Sequence, residues 1–271
     1  MAVTYIENKI IGTSSERDNL IVSTADLTEY FHTDNWIDST DSQFKVSTLN
    51  KRLEFTDNPN NQGSLCSYDL QTLLGSAVST TEWVLRFKFR FNYLAGTTAY
   101  YYEFCLGLSD SSTAIMNANQ NFIGCRVLPD DGANLWRPRV CDGSSNPRSG
   151  STANLTQKFM TDKDYFVEIK RTSSTNWSIS LSTTNAYDGD LQDNSYTDAS
   201  GATGLRYIKI GDAVTNTTTG AVLQGFIDNV QFYDDVTSAT VETKPHLPAS
   251  TIFIEVDTGK QYIFDGTDWN E

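Results

Sequence analysis

The stretch Glu82–Phe91, EWVLRFKFRF, alternates strictly along its whole length. Only a strand turns that pattern into two unlike faces, with Trp83, Leu85, Phe87, Phe89 and Phe91 on one side and Val84, Arg86, Lys88 and Arg90 on the other. Five large apolar side chains on one face need a facing sheet of equal apolarity to cover them. The stretch therefore predicts a half-buried antiparallel strand in a β-sandwich.

The rest of the chain is consistent with that frame. QFKVSTLNKRLEF predicts a short hairpin, and SLCSYDLQTLL a strand with a short connector. YYYEFCLGLS, NFIGCRVL, LWRPRV, YFVEIKRT, NWSISLST, LRYIKIG and GFIDNVQFYDD supply further strands, separated by Gly/Asn/Asp/Ser turns. Many short strands with no βα alternation point to an all-β fold. Residues 1–24 are polar apart from Ile10 and Ile11 and read as an extended N-terminal arm. Residues 25–240 form the sandwich. Residues 241–271 contain a Pro-bearing linker, KPHLPAS, and a terminal β-hairpin, which must pack on the sandwich or on another copy of itself because a lone hairpin is marginal in water.

Charge narrows the partners. A formal net charge of −14 opposes unaided binding to nucleic acid or to an anionic membrane, which requires clustered Lys and Arg. No apolar run is long enough to span a bilayer, and the start of the sequence lacks the basic and apolar regions of a secretory signal. Cys66, Cys105, Cys125 and Cys141 lack CxxC spacing, which argues against structural zinc. Cys105 and Cys125 fall in neighbouring strands, where either free thiols or a cross-strand disulfide can be drawn.

Taken in order, WVLRFKFRF, FCLGLSDSS, NFIGCRV, YFVEIKRTSS, GLRYIKIGD and GFIDNVQFYDD resemble the concanavalin A-like, laminin-G-like jelly rolls of lectins, carbohydrate-binding modules and adhesins. The likeness covers about Asn35 to Asp235, and the terminal DTGKQYIFDGTDW resembles hairpins of phage and viral fibre proteins. It implies an antiparallel concanavalin A-like sandwich with a small C-terminal hairpin. It also implies a place outside the cell or on a virion surface. β-Glucan-cleaving enzymes on this scaffold carry E-x-D-x-x-E on one strand, a pattern this sequence lacks. His32 and His246 do not complete a Ser/His/Asp or HExxH set. The expectation is therefore a chain that is not an enzyme.

Two sites are expected. Hard cations want several oxygens, and the chain is rich in Asp-bearing turns. In jelly rolls of this kind an aspartate in G-x-I-D-x-V helps hold structural calcium, so the resemblance implies calcium at Asp228, with Asp34 and Asp38 as further ligands; the other reading has Asp228 hydrogen-bonding a loop or sitting at a bulge. For a glycan, an aromatic ring must stack on a pyranose beside polar groups. Trp136 with Arg137, Arg139, Asp130, Asp131 and Asn134 fits that description, as does an exposed Tyr101; the competing reading makes Trp136 the first core residue of its strand. Arg86, Lys88 and Arg90 either pair with carboxylates such as Glu103 and Glu168 or bind an acidic sugar. The combined expectation is a glycan-binding or adhesion protein that works as a homo-oligomer or among virion neighbours. The alternatives are a purely structural capsid-decoration or fibre jelly roll, and a glycoside hydrolase with an atypical carboxylate pair.

Overall fold

The computed structural model describes residues 4–6, 9–13, 25, 27–29, 31, 35–38, 43–57, 65–95, 104–112, 120–128, 135–142, 155–187, 189–197, 199–212, 222–236, 251–264 and 269–271. The chain divides into two compact units, one made of residues 1–24 with 240–271 and the other of residues 25–239.

The first unit opens with β1 (Thr4–Ile6) and β2 (Lys9–Gly12). The second contains β3 (Leu27–Glu29), β4 (Ile37–Asp38), β5 (Phe44–Ser47), β6 (Arg52–Asp57) and β7 (Leu65–Asp69), then one short helix, α1 (Leu70–Leu74). It continues through β8 (Trp83–Ala95), β9 (Phe104–Ser109), β10 (Asn121–Leu128), β11 (Leu135–Asp142) and β12 (Leu155–Lys158). It ends with β13 (Asp164–Arg171), β14 (Trp177–Ser182), β15 (Gln192–Tyr196), β16 (Tyr207–Asp212) and β17 (Val222–Asp234). The chain closes in the first unit with β18 (Ile252–Glu255), β19 (Gln261–Phe264) and β20 (Trp269–Asn270).

The second unit is an all-β sandwich. One sheet runs β12-β11-β10-β9-β16-β7-β4; the other runs β15-β14-β13-β8-β17-β6-β5, with β3 added on β17. Every pairing within both is antiparallel. The alternation of β8 decides the layering: Trp83, Leu85, Phe87, Phe89 and Phe91 are all buried in the core shared with Leu106, Leu108, Ile123, Cys125, Ile208 and Ile210 of the opposite sheet. Each such side chain contributes about 1.5–3 kcal/mol on burial. Phe89 stacks on Tyr165 at 5.4 Å and meets Phe159 and Phe91 edge-on, which fixes one end of this core.

One open alternative is decided and one expectation changes. Cys105 lies opposite Arg126 and Cys125 opposite Leu106, so the two cysteines are one residue out of register and face opposite sides of their sheet. Both are free thiols, not a disulfide. The N-terminal segment, read as an extended arm, instead forms the β1–β2 hairpin, and β2 pairs in parallel with β18, Ile10 opposite Phe253 and Ile11 opposite Ile254. The terminal hairpin thus finds its partner in the chain's own beginning. The five-stranded sheet β1-β2-β18-β19-β20 buries Ile10 and Phe253, and Phe253 meets Trp269 edge-on at 5.6 Å.

Candidate functional site

The outer faces of the two sandwich sheets differ. On the seven-stranded sheet, cross-strand partners place Ser67, Lys209, Gly107, Gly124 and Arg139 in one row and Leu65, Gly211, Cys105, Arg126 and Arg137 in the next. Ser67, Cys105, Ser109, Phe122 and Lys209 on this face are nevertheless buried. Lys209 is 0% exposed and donates to the Gln120 side-chain oxygen at 3.3 Å. Burial pushes its pKa down to about 8, against the opposing pull of Asp110 and Cys105. The centre of this face is closed.

The eight-stranded sheet is closed at one end and open at the other. At the closed end Arg86 reaches Glu168 twice, at 2.8 Å through Nε and 2.7 Å through Nη2, while its guanidinium lies 4.6 Å from the Tyr187 ring. Tyr187 belongs to the turn after β14 and covers this pair, which is buried. Toward the other end, three ion pairs surround Phe226: Arg52–Glu54 at 2.8 Å, Lys88–Asp228 at 2.8 Å and Arg90–Asp164 at 2.7 Å. The three cations lie over the Phe226 ring at 4.3, 5.7 and 5.7 Å from its centroid. Asp164 raises the pKa of Arg90, and Asn50 and Arg52, against desolvation, hold that of Glu54 low, so these groups stay charged at neutral pH.

Beyond Phe226 a bulge exposes an aromatic ring. The register of β8 on β17 slips between Gly225, which faces Phe91, and Gln224, which faces Tyr93, leaving Asn92 as the extra residue. The alternation is therefore reversed past this point, and Tyr93 emerges on the outer face in a row with exposed Gln224 and Thr56. Tyr93 is 50% exposed. Gly225 is required for this: a Cβ there would sit 2.0 Å from the Arg90 carbonyl oxygen. An open aromatic ring, an amide, a hydroxyl and partly exposed ion pairs on one face are groups suited to a sugar ring and its hydroxyls.

The residues singled out from sequence fall elsewhere. Trp136 lies opposite buried Val127, while Arg137 and Arg139 lie opposite Arg126 and Gly124. Tyr101, Asp130, Asp131, Asn134 and Asp34 lie outside the described residues. Asp38 is opposite Cys66 in the seven-stranded sheet, whereas Asp228 is in the other. One Asp228 oxygen takes the Lys88 ammonium and the other accepts from the Asn229 N–H at 2.7 Å, at a second bulge where Asn229 has a φ of 52°. Among the described residues no three of His, Cys, Asp or Glu come together to hold a metal ion. A calcium ion at Asp228 would have to displace Lys88, so the groups present do not fit one. Lys88, Arg90 and Arg86 pair with carboxylates of adjacent strands, Glu168 among them. Tyr93 lies past the Glu82–Phe91 alternation, on the part of β8 that the pattern does not reach; the break of alternation in RFNYLA, opposite a strand containing Gly225, is the signal that points to it.

No family model matches the chain, and no curated protein matches it. Among solved structures it is similar to a sialidase, with 14% identity and a TM-score of 0.47 over 80% of this chain. This chain spans 19% of the length of that sialidase. It is also similar to an alginate lyase from Klebsiella pneumoniae, with 12% identity and a TM-score of 0.47 over 72% of this chain and 85% of the other. A third is the CBM2 module of the evolved Dit of Lactobacillus casei BL23 phage J-1, with 10% identity and a TM-score of 0.44 over 78% of this chain and 97% of the other. The expectation that the chain is not an enzyme is corrected by these findings: the structures it is similar to include enzymes by name, the sialidase and the alginate lyase among them, with an esterase and a GH43 protein. Among the described residues no helix is long and apolar enough to cross a membrane.

Proposed function

We propose that this chain recognises carbohydrate on the open end of the outer face of its eight-stranded sheet, as a concanavalin A-like jelly roll displayed on a virion or cell-surface appendage. Tyr93 stacks on a pyranose ring, and Gln224, Thr56 and the Arg90–Asp164 pair engage its hydroxyls. The observation that carries this reading is the bulge at Asn92, which turns a tyrosine out of the core alternation and leaves it half exposed among polar side chains. Flat faces bind single sugars weakly, and display in several copies compensates by raising the effective concentration.

A glycan array probed with the intact protein tests this, run with calcium and with chelator, and with the bound glycans analysed by mass spectrometry for cleavage. Binding that falls at least about tenfold in Tyr93→Ala, the loss of roughly 1.4 kcal/mol of stacking, supports the reading. Binding unchanged in Tyr93→Ala places the glycan site elsewhere.

A further inference from the structure

The charges on this face also say which sugars it takes. We infer, on the reading above, that the ligand is a neutral glycan, and that the Arg90–Asp164 pair reads two adjacent hydroxyls of the sugar stacked on Tyr93.

Three cations and three carboxylates stand around Phe226, and each cation is within 2.8 Å of its carboxylate. These six groups are thus neutral as a set. A uronate or sialate arriving there would have to compete with a carboxylate already held on the same scaffold, and would approach a chain of net charge −14. A hydroxyl meets neither obstacle, because it both donates and accepts.

The Arg90–Asp164 pair has the geometry for this. It is joined by one bond, Nε to Oδ1, with the two side chains 33% and 34% exposed. That contact uses Nε and Oδ1, so the Nη donors of Arg90 and the Oδ2 acceptor of Asp164 are not spent on each other. One sugar hydroxyl donates to Oδ2 while its neighbour accepts from Nη–H. Both partners are charged, so each bond is of the stronger kind. The pair lies on the row next to Tyr93, with Arg90 opposite Phe226 and Tyr93 opposite Gln224. That spacing suits a ring stacked on the tyrosine.

The test is isothermal titration of the intact protein with cellohexaose, xylohexaose, mannohexaose and maltohexaose against hexagalacturonate. Wild type, Tyr93→Ala, Asp164→Asn and Arg90→Gln are compared, with thermal melts to confirm folding. The expected result is binding of at least one neutral oligosaccharide in preference to hexagalacturonate, weakened about tenfold or more in Arg90→Gln and in Asp164→Asn, as for a lost charged hydrogen bond. Asp164→Asn should also bind hexagalacturonate more tightly than wild type does, because Arg90 then lacks its own carboxylate; a merely structural role for Asp164 would not produce that gain. Preference of the wild type for hexagalacturonate overturns this inference and leaves the carbohydrate reading standing. Neutral binding that is lost in Tyr93→Ala but unchanged in both pair variants also overturns it alone. Absence of binding to every oligosaccharide overturns both.

Discussion

Arg171 sits at the end of β13, is 1% exposed, and among the described residues has no carboxylate as hydrogen-bond partner. Its guanidinium donates instead to four backbone carbonyls: Ser173 at 3.1 Å, Ala202 at 2.7 Å, Ser174 at 2.8 Å and Ala199 at 3.1 Å. One planar fork thereby ties the turn after β13 to the turn after β15. Arg171→Met keeps the apolar stem and removes every donor. The Ser173 and Ser174 carbonyls belong to partly exposed residues and can take water, but Ala199 and Ala202 are buried. The Ala199 carbonyl keeps the Ala202 N–H at 3.0 Å, so the Ala202 carbonyl is the one buried acceptor left alone, at a cost of about 1–3 kcal/mol, and the other lost bonds add to it. The gain from no longer burying a charge, seen in the lowered pKa of Arg171, offsets part of this. The net expectation is a loss of about 1–3 kcal/mol. Arg171→Lys should lose less, because an ammonium offers three donors without the fork. Urea unfolding followed by tryptophan fluorescence reads this directly. A Met variant within about 0.5 kcal/mol of wild type at an unchanged m-value would show that water replaces the fork at all four carbonyls, and the reasoning would fail.

Gly225→Ala should destabilise the sandwich by about 1–3 kcal/mol, the usual cost of forcing extra volume into a packed site, because its Cβ overlaps the Arg90 carbonyl; a urea midpoint equal to wild type would mean the bulge relaxes freely. Lys209 has a folded pKa of about 8, below its unfolded value near 10.4, so the unfolded state holds more protons between those pH values and stability should rise there, by up to about 3 kcal/mol. Below pH 8 both states are protonated and the dependence vanishes, so Lys209→Met should lack the alkaline rise that wild type shows in urea titrations from pH 7 to 10. Cys66, Cys105 and Cys125 should all alkylate in denaturant without reductant, as mass spectrometry would show; a protected Cys105–Cys125 pair would contradict the β9–β10 register.

The sandwich was legible because its signal is local: β8 declares both faces within ten residues, and the ion pairs of Arg86, Lys88 and Arg90 follow from the same alternation. What failed to show was set by partners distant in sequence. Ile10 and Ile11 look like an isolated apolar cluster until Phe253 and Ile254 are brought alongside, and that parallel pairing joins the two ends of the chain. Cys105 and Cys125 seem well placed for a bridge until the register shows them on opposite faces. The pattern Gly225, Ile227, Asp228, Val230 was read through a resemblance as a calcium device. Here it marks two bulges: Gly225 admits the Arg90 carbonyl, and Asp228 holds the Asn229 N–H and Lys88.

Those two bulges, at Asn92 on β8 and at Asn229 on β17, explain why the candidate site lies where it does. Without the slip at Asn92, Tyr93 would follow Phe91 into the core, and the outer face near Phe226 would carry only paired charges. Without the bulge at Asn229, Asp228 and Gln231 could not both lie on the outer face of the strand, Asp228 beside Lys88 and Gln231 beside Arg86. Since a bulge leaves residues unpaired and bends the strand, two of them in the one β8–β17 pair weaken the ladder locally. That cost falls on two central strands of the sheet, and what it produces is an exposed aromatic ring beside a set of paired charges. A fold optimised for its core alone would have no need of either feature. On the proposed reading the bulges belong to the candidate face, and Gly225 is the residue through which that face depends on the backbone.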